Sequence, residues 1–183
     1  MSRNSIITTN DDENGMEDRF RCDPFERAQA GLRAILAAHF HTNRRPWGIV
    51  TLCRQRILIS EAESTICDIC IVGSDAPVSR VVRSPPMICI DVMSEEPLAM
   101  VQNRADLYER MGVKHIWLLD PTYRAAWRAT SSGLFQVRDD QLMISGTSIG
   151  FRLSSIYQEL DEVLRPSQRM SVSAAIDRSR NRE

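Results

Sequence analysis

Two aspartates sit where carboxylates are costly. Asp68 lies inside TICDICIVG and Asp91 inside MICIDVM, both short apolar runs of the kind that form buried strands. A carboxylate stripped of water in such a run needs compensation, either from a bound cation or from a buried basic side chain. Strand alternation puts Asp68 on one face with Ile66 and Cys70, and Asp91 on one face with Cys89 and Met93. If the two strands are neighbours, the carboxylates converge on one point. Paired carboxylates with retained waters are how Mg²⁺ is usually held. The ion would lend Lewis acidity toward a phosphate and activate a water nucleophile. Pattern alone weighs this evenly against pairing of each aspartate with an arginine.

A third charge joins them. In the helical segment after Asp91, Arg104 shares the apolar stripe of Val101, Ala105 and Tyr108. From there it can neutralise the carboxylates or hold a phosphate bidentately, though it does not deprotonate and so cannot act as a base. The CDIC motif is a weaker candidate. No second cysteine pair completes a zinc site, and residues three apart on a strand point to opposite faces, so Cys67 and Cys70 read as structural thiols. His39 falls on the apolar ridge of a helix and reads as a packing residue.

The elements that position these groups follow from periodicity. Residues 1–22 are polar and patternless, the expectation being a flexible arm. Asp23 as N-cap, Pro24 at the first turn and Glu26 three after the cap open an amphipathic helix to about His41. GIVTLC and RILIS read as two short strands, ICDICIVG as a third, and MICIDVM as a fourth after a proline-bearing excursion. A helix between Pro97 and Gly112 leads into HIWLLD, a continuous apolar strand. AAWRAT and LFQVRDD suggest a hairpin, and a last helix spans about Leu153 to Leu164 before a polar tail from Arg165. The order predicts one α/β domain over 23–164 with a mixed central sheet.

Composition narrows the function. At 183 residues, 43% apolar and 26% charged, with a formal net charge of −1, the chain is an ordinary globular sequence and no wholesale polyanion binder. Of its 23 basic residues only Lys114 is a lysine, which nearly excludes lysine-based catalysis. Loop arginines such as Arg44, Arg45, Arg54, Arg56, Arg80 and Arg83 read as solvated surface more readily than as a nucleic-acid face. An odd count of five cysteines, an N-terminus without an apolar core and the lack of a run near the ~20 residues of a membrane helix predict a cytoplasmic protein with reduced thiols and no membrane partner. Trp47, Trp117 and Trp127 are candidates for core or for a homodimer interface.

Taken together, TICDICIV, PPMICIDVMS, Arg104-x-x-x-Tyr108-x-x-x-Gly112-Val113 and HIWLLDP resemble the putative restriction endonuclease family of the PD-(D/E)XK nuclease superfamily. The resemblance covers about residues 24 to 164 and is strongest at GVKHIWLLDP. It implies a restriction-endonuclease-like α/β layered domain with an α-β-β-β-α-β core, hydrolysing DNA phosphodiesters with Mg²⁺ or Mn²⁺. It further implies that Asp68 and Asp91 are the metal ligands, with Glu26 near a further acidic position. Arg104 stands where the family carries a helix-borne lysine, and Met93 at the superfamily's usual lysine position. Cys67 replaces the proline before the aspartate, and Asp91 the usual glutamate. Arginine keeps the charge of lysine but not its proton transfer. A catalytically inactive nuclease-fold protein, acting as a binding or regulatory module, is therefore the second expectation.

Overall fold

The computed structural model describes residues 23–165 apart from 78 and 131, so the expected arm and most of the tail, with Cys22, lie outside the described residues. Helix α1 spans Pro24–Thr42, its first turn capped by the Asp23 side chain, which accepts from Phe25 N–H at 2.9 Å. A short turn of helix, α2, spans Arg44–Trp47 and ends at Gly48, whose φ of 60° suits glycine. The strands follow as β1 (Ile49–Leu58), β2 (Ser64–Gly73), β3 (Val81–Val82) and β4 (Ile88–Val92). Helix α3 (Leu98–Met111) then leads to β5 (His115–Asp120), β6 (Ala125–Thr130) and β7 (Gly133–Gln136). A small hairpin, β8 (Gln141–Met143) and β9 (Gly150–Arg152), precedes helix α4 (Leu153–Leu164).

The main sheet is mixed and seven-stranded, ordered β3-β1-β2-β4-β5-β6-β7. β4 and β5 run parallel, joined by α3 as the crossover, while β1–β2, β2–β4, β5–β6 and β6–β7 are antiparallel. Helices cover both faces, which is why β4 and β5 are buried almost end to end. On one face α1, α4 and the small hairpin enclose Leu32, Leu36, Phe40, Ile71, Ile90, Trp117 and Leu160. On the other, Val101, Ala105 and Tyr108 of α3 pack against Cys70, Cys89, Ile116 and Leu118. This is the expected α/β layered architecture with a mixed central sheet. No helix among the described residues is long and apolar enough to cross a membrane.

Four expectations are corrected or decided by the packing. GIVTLC and RILIS form one ten-residue strand, β1, whose polar middle is a kink: Arg54 has φ 47°. Cys67 and Cys70 do not face apart; both are buried in the α3-side cluster with Cys89. The simple alternation fails there because β2 is paired across the kink, Cys53 opposite Ile69 and Gln55 opposite Cys67. The tryptophans belong to the core: Trp117 is buried, and Trp47 and Trp127 pack on the two clusters. His39 is a packing residue as expected, its Nε2 2.9 Å from the Gly150 carbonyl and its ring edge-on to Phe40 and Phe151.

Candidate functional site

The site arises where the middle of the sheet parts. β2 and β4 are paired only from Ile69–Ile71 to Ile88–Ile90. Beyond that point β2 continues along β1 as far as Ser64, while β4 continues along β5 as far as Val92. Extending the register places Asp68 directly opposite Asp91, at the first position where the ladder is broken. Each carboxylate then does what the missing ladder bonds would have done. Asp68 N–H donates to Asp91 Oδ1 at 3.2 Å, and Val92 N–H donates to Asp68 Oδ2 at 3.0 Å. The aspartates satisfy backbone donors that the parting strands would leave orphaned.

Helix α3 supplies the cation and the hydroxyl that make burial of Asp91 tolerable. Arg104 Nε lies 2.6 Å from Asp91 Oδ2, and its two terminal nitrogens grip Glu96, Nη1 to Oε2 at 2.8 Å and Nη2 to Oε1 at 2.6 Å. Tyr108, one turn further on, donates its hydroxyl toward both Asp91 oxygens, each at 3.1 Å. Spacing of four residues stacks these two side chains on one helical face, as the apolar stripe predicted. Asp91 is only 3% exposed. Burial raises its carboxyl above the ordinary range, and the Arg104 charge works against that rise. The hydrogen bonds from Arg104 lower Glu96, and Glu96 in turn holds the guanidinium more firmly protonated.

Asp68 is held more loosely. Arg33, projecting from α1, brings Nε to 2.9 Å from Asp68 Oδ1, yet that buried N–H makes no hydrogen bond. The contact is one of charge, approached off-axis. Gln29, one turn earlier, ties the same helix to the end of β4 by donating to the Met93 carbonyl at 3.1 Å. An open cleft of about 200 Å³ lies over these groups, lined by Arg33, Arg54, Asp68, Asp91, Glu96 and Arg104 among others.

The structure thus brings Asp68, Asp91 and Arg104 together. Glu26, in the first turn of α1, does not line the cleft, and Met93 packs against the α3-side core. Sequence reasoning missed Arg33 and Tyr108 as partners of the aspartates and Glu96 as the partner of Arg104. Tyr108 carried a usable signal, since its hydroxyl sat on the same inward stripe as Arg104. Beneath the site Cys67, Cys70 and Cys89 cluster, and burial pushes the thiols of Cys67 and Cys89 up, so they stay protonated. Among the described residues no group of three or more histidines, cysteines or acids is arranged to hold a metal ion.

Comparison with known proteins is consistent with this architecture. No family model and no curated protein sequence matches the chain. Among solved structures, it resembles a crystal structure from Anabaena variabilis ATCC 29413 described as a putative nuclease belonging to DUF820. The two superpose with a TM-score of 0.60 over 73% of this chain and 82% of that one, at 12% sequence identity. At that identity the likeness is one of fold: this chain has a nuclease-like α/β fold.

Proposed function

We propose that the protein is a metal-dependent endonuclease that hydrolyses DNA phosphodiester bonds in the cleft over Asp68 and Asp91. The observation that carries this reading is the direct opposition of two carboxylates where β2 and β4 part, open to a cleft. The donor set suits a hard divalent cation, Mg²⁺ or Mn²⁺, because it offers carboxylate oxygen on adjacent strands with room for retained waters. Asp68 is the more available ligand, since only an off-axis charge contact occupies its Oδ1. Asp68 and Asp91 would hold the ion, which when bound supplies Lewis acidity toward the phosphate and a water of lowered pKa. Tyr108 and Arg104 fix the Asp91 carboxylate in orientation, and Glu96 anchors Arg104 by a two-pronged contact. Arg104 is thereby the site's resident cation, standing behind the carboxylates. Buried, protonated thiols next to the site fit a reducing cytoplasm.

A second reading has its own support. Asp91 Oδ2 already receives Arg104 at 2.6 Å, and an arginine so engaged does not give up a proton. A site neutralised in this way can bind a nucleic-acid backbone without cutting it.

Supercoiled plasmid incubated with the protein and Mg²⁺ or Mn²⁺ separates the two. The nuclease reading expects nicked and linear products, lost on adding a chelator and in Asp68→Ala and Asp91→Asn. Intact plasmid in both metals, from a folded protein that still retards DNA, establishes the second reading and overturns the first.

A further inference from the structure

Arg54 is an anomaly of backbone and of charge. Among the described residues three non-glycine residues have positive φ, and two of them, Arg124 (52°) and Asp140 (54°), lie between elements. Arg54 (47°) lies inside β1, with Cys53 and Gln55 on either side of it still paired to β2. A side-chain-bearing residue in the left-handed region is disfavoured, and it persists only where its surroundings over-determine it. The surroundings here do so. β1 is hydrogen-bonded to β2 along its length and to β3 at Arg56 and Ile57, and Gln55 Nε2 donates to the Arg80 carbonyl at 2.7 Å.

The kink has a directional effect. Arg54 stands opposite Asp68 in the β1–β2 register, just as Asp68 stands opposite Asp91 on its other side. The three residues lie abreast across three strands, and Arg54 lines the same cleft as the carboxylates. The cations of that cleft are not equivalent. Arg104 is committed to Asp91 and Glu96, and Arg33 to Asp68. Arg54 is exposed, and among the described residues neither hydrogen bond nor ion pair engages its guanidinium. It is an uncommitted, always-charged fork beside two acids that would otherwise repel a polyanion.

We propose that Arg54 is the residue that receives a nucleic-acid backbone phosphate in this cleft, and that the strained φ is what turns β1's side chain toward it. The inference deepens the reading of the cleft as a phosphodiester site and rests on it. A planar fork matches two phosphate oxygens, and the positive charge offsets Asp68 and Asp91 as the polyanion approaches.

The test uses the full chain, a 30-base-pair duplex and fluorescence anisotropy in chelator across a range of salt, with Arg54→Ala, Arg54→Lys and Arg54→Gly. Loss of a phosphate contact should weaken binding about tenfold and lower the salt dependence by roughly one counterion in Arg54→Ala and Arg54→Gly, while Arg54→Lys keeps most of the slope. Arg54→Gly should also melt at or above the wild-type temperature, because glycine accepts the φ without strain. Wild-type affinity and slope in Arg54→Gly overturn the proposal, as does a fall in its melting temperature that accounts for the lost binding. Arg54-dependent binding without plasmid cleavage overturns the nuclease reading and leaves this one standing. Absence of duplex binding by the wild type overturns this proposal, while the nuclease reading is decided separately by plasmid cleavage in Mg²⁺ or Mn²⁺.

Discussion

At the scale of the residue, Arg104 is the member on which the site depends. It is the cation that faces Asp91, a carboxylate with almost no access to water. Replacing it with alanine strands Asp91 buried and frees Glu96, and a buried pair broken from one side costs about 3–5 kcal/mol. Denaturant titration should show that loss for Arg104→Ala, and the double variant Arg104→Ala/Asp91→Asn should recover much of it, since the stranded charge is gone. A loss below about 1 kcal/mol would mean that water reaches Asp91 and that the pair is a surface one. Arg104 was legible in the sequence because a charge on an apolar helical stripe must face something. Its partner Glu96 was not, because SEEP follows the strand as an ordinary polar connection and nothing local distinguishes Glu96 from Glu95.

At the scale of the element, legibility followed periodicity. Pro97 and Gly112 bound α3 as expected, and α4 spans the predicted Leu153–Leu164, because caps and apolar spacing are local signals. β1 was divided in two because the polar pair Arg54-Gln55 separates the apolar runs GIVTLC and RILIS, whereas tertiary pairing on both sides carries the strand through it. The faces of Cys67 and Cys70 were misjudged for the same reason: alternation holds only while the backbone is regular. The β8–β9 hairpin carries a prediction of its own. Gly150 has φ 147°, and a Cβ there would run into the Leu142 carbonyl and Met143. Gly150→Ala should therefore cost at least about 2 kcal/mol by overpacking and strain together. A lowered thermal midpoint is the readout, with α1 affected too, since His39 contacts the Gly150 carbonyl.

At the scale of the whole molecule, the buried charges set how stability responds to acid. Arg104 lowers the Glu96 carboxyl in the folded state, so Glu96 contributes stability above the ordinary glutamate range, near pH 4.3, and that contribution is lost as pH falls through the lowered value. Asp91 behaves oppositely. Folding raises its carboxyl, so its protonated form is the one the fold favours, and the cost of its charge fades on acidification. Glu96→Gln should accordingly be less stable than wild type at neutral pH, with the gap closing below about pH 4. Chemical denaturation of both proteins at pH 7 and pH 3.5 checks this, and a gap that widens in acid would reverse the assignment.

The seam between β2 and β4 is three residue pairs long, whereas β1 and β2 are paired over nearly their whole length. Mechanically the sheet is therefore two plates riveted along a short line. One plate is β3-β1-β2, carrying Arg54 and Asp68; the other is β4 to β7 with α3, carrying Asp91 and Arg104. Past the rivets, the fastenings between the plates include two bonds in which a backbone amide of one plate donates to a carboxylate of the other. Beside those two bonds, the Tyr108 hydroxyl donates to the Ile66 carbonyl at 3.4 Å, so the mouth is fastened by side chains rather than by the ladder.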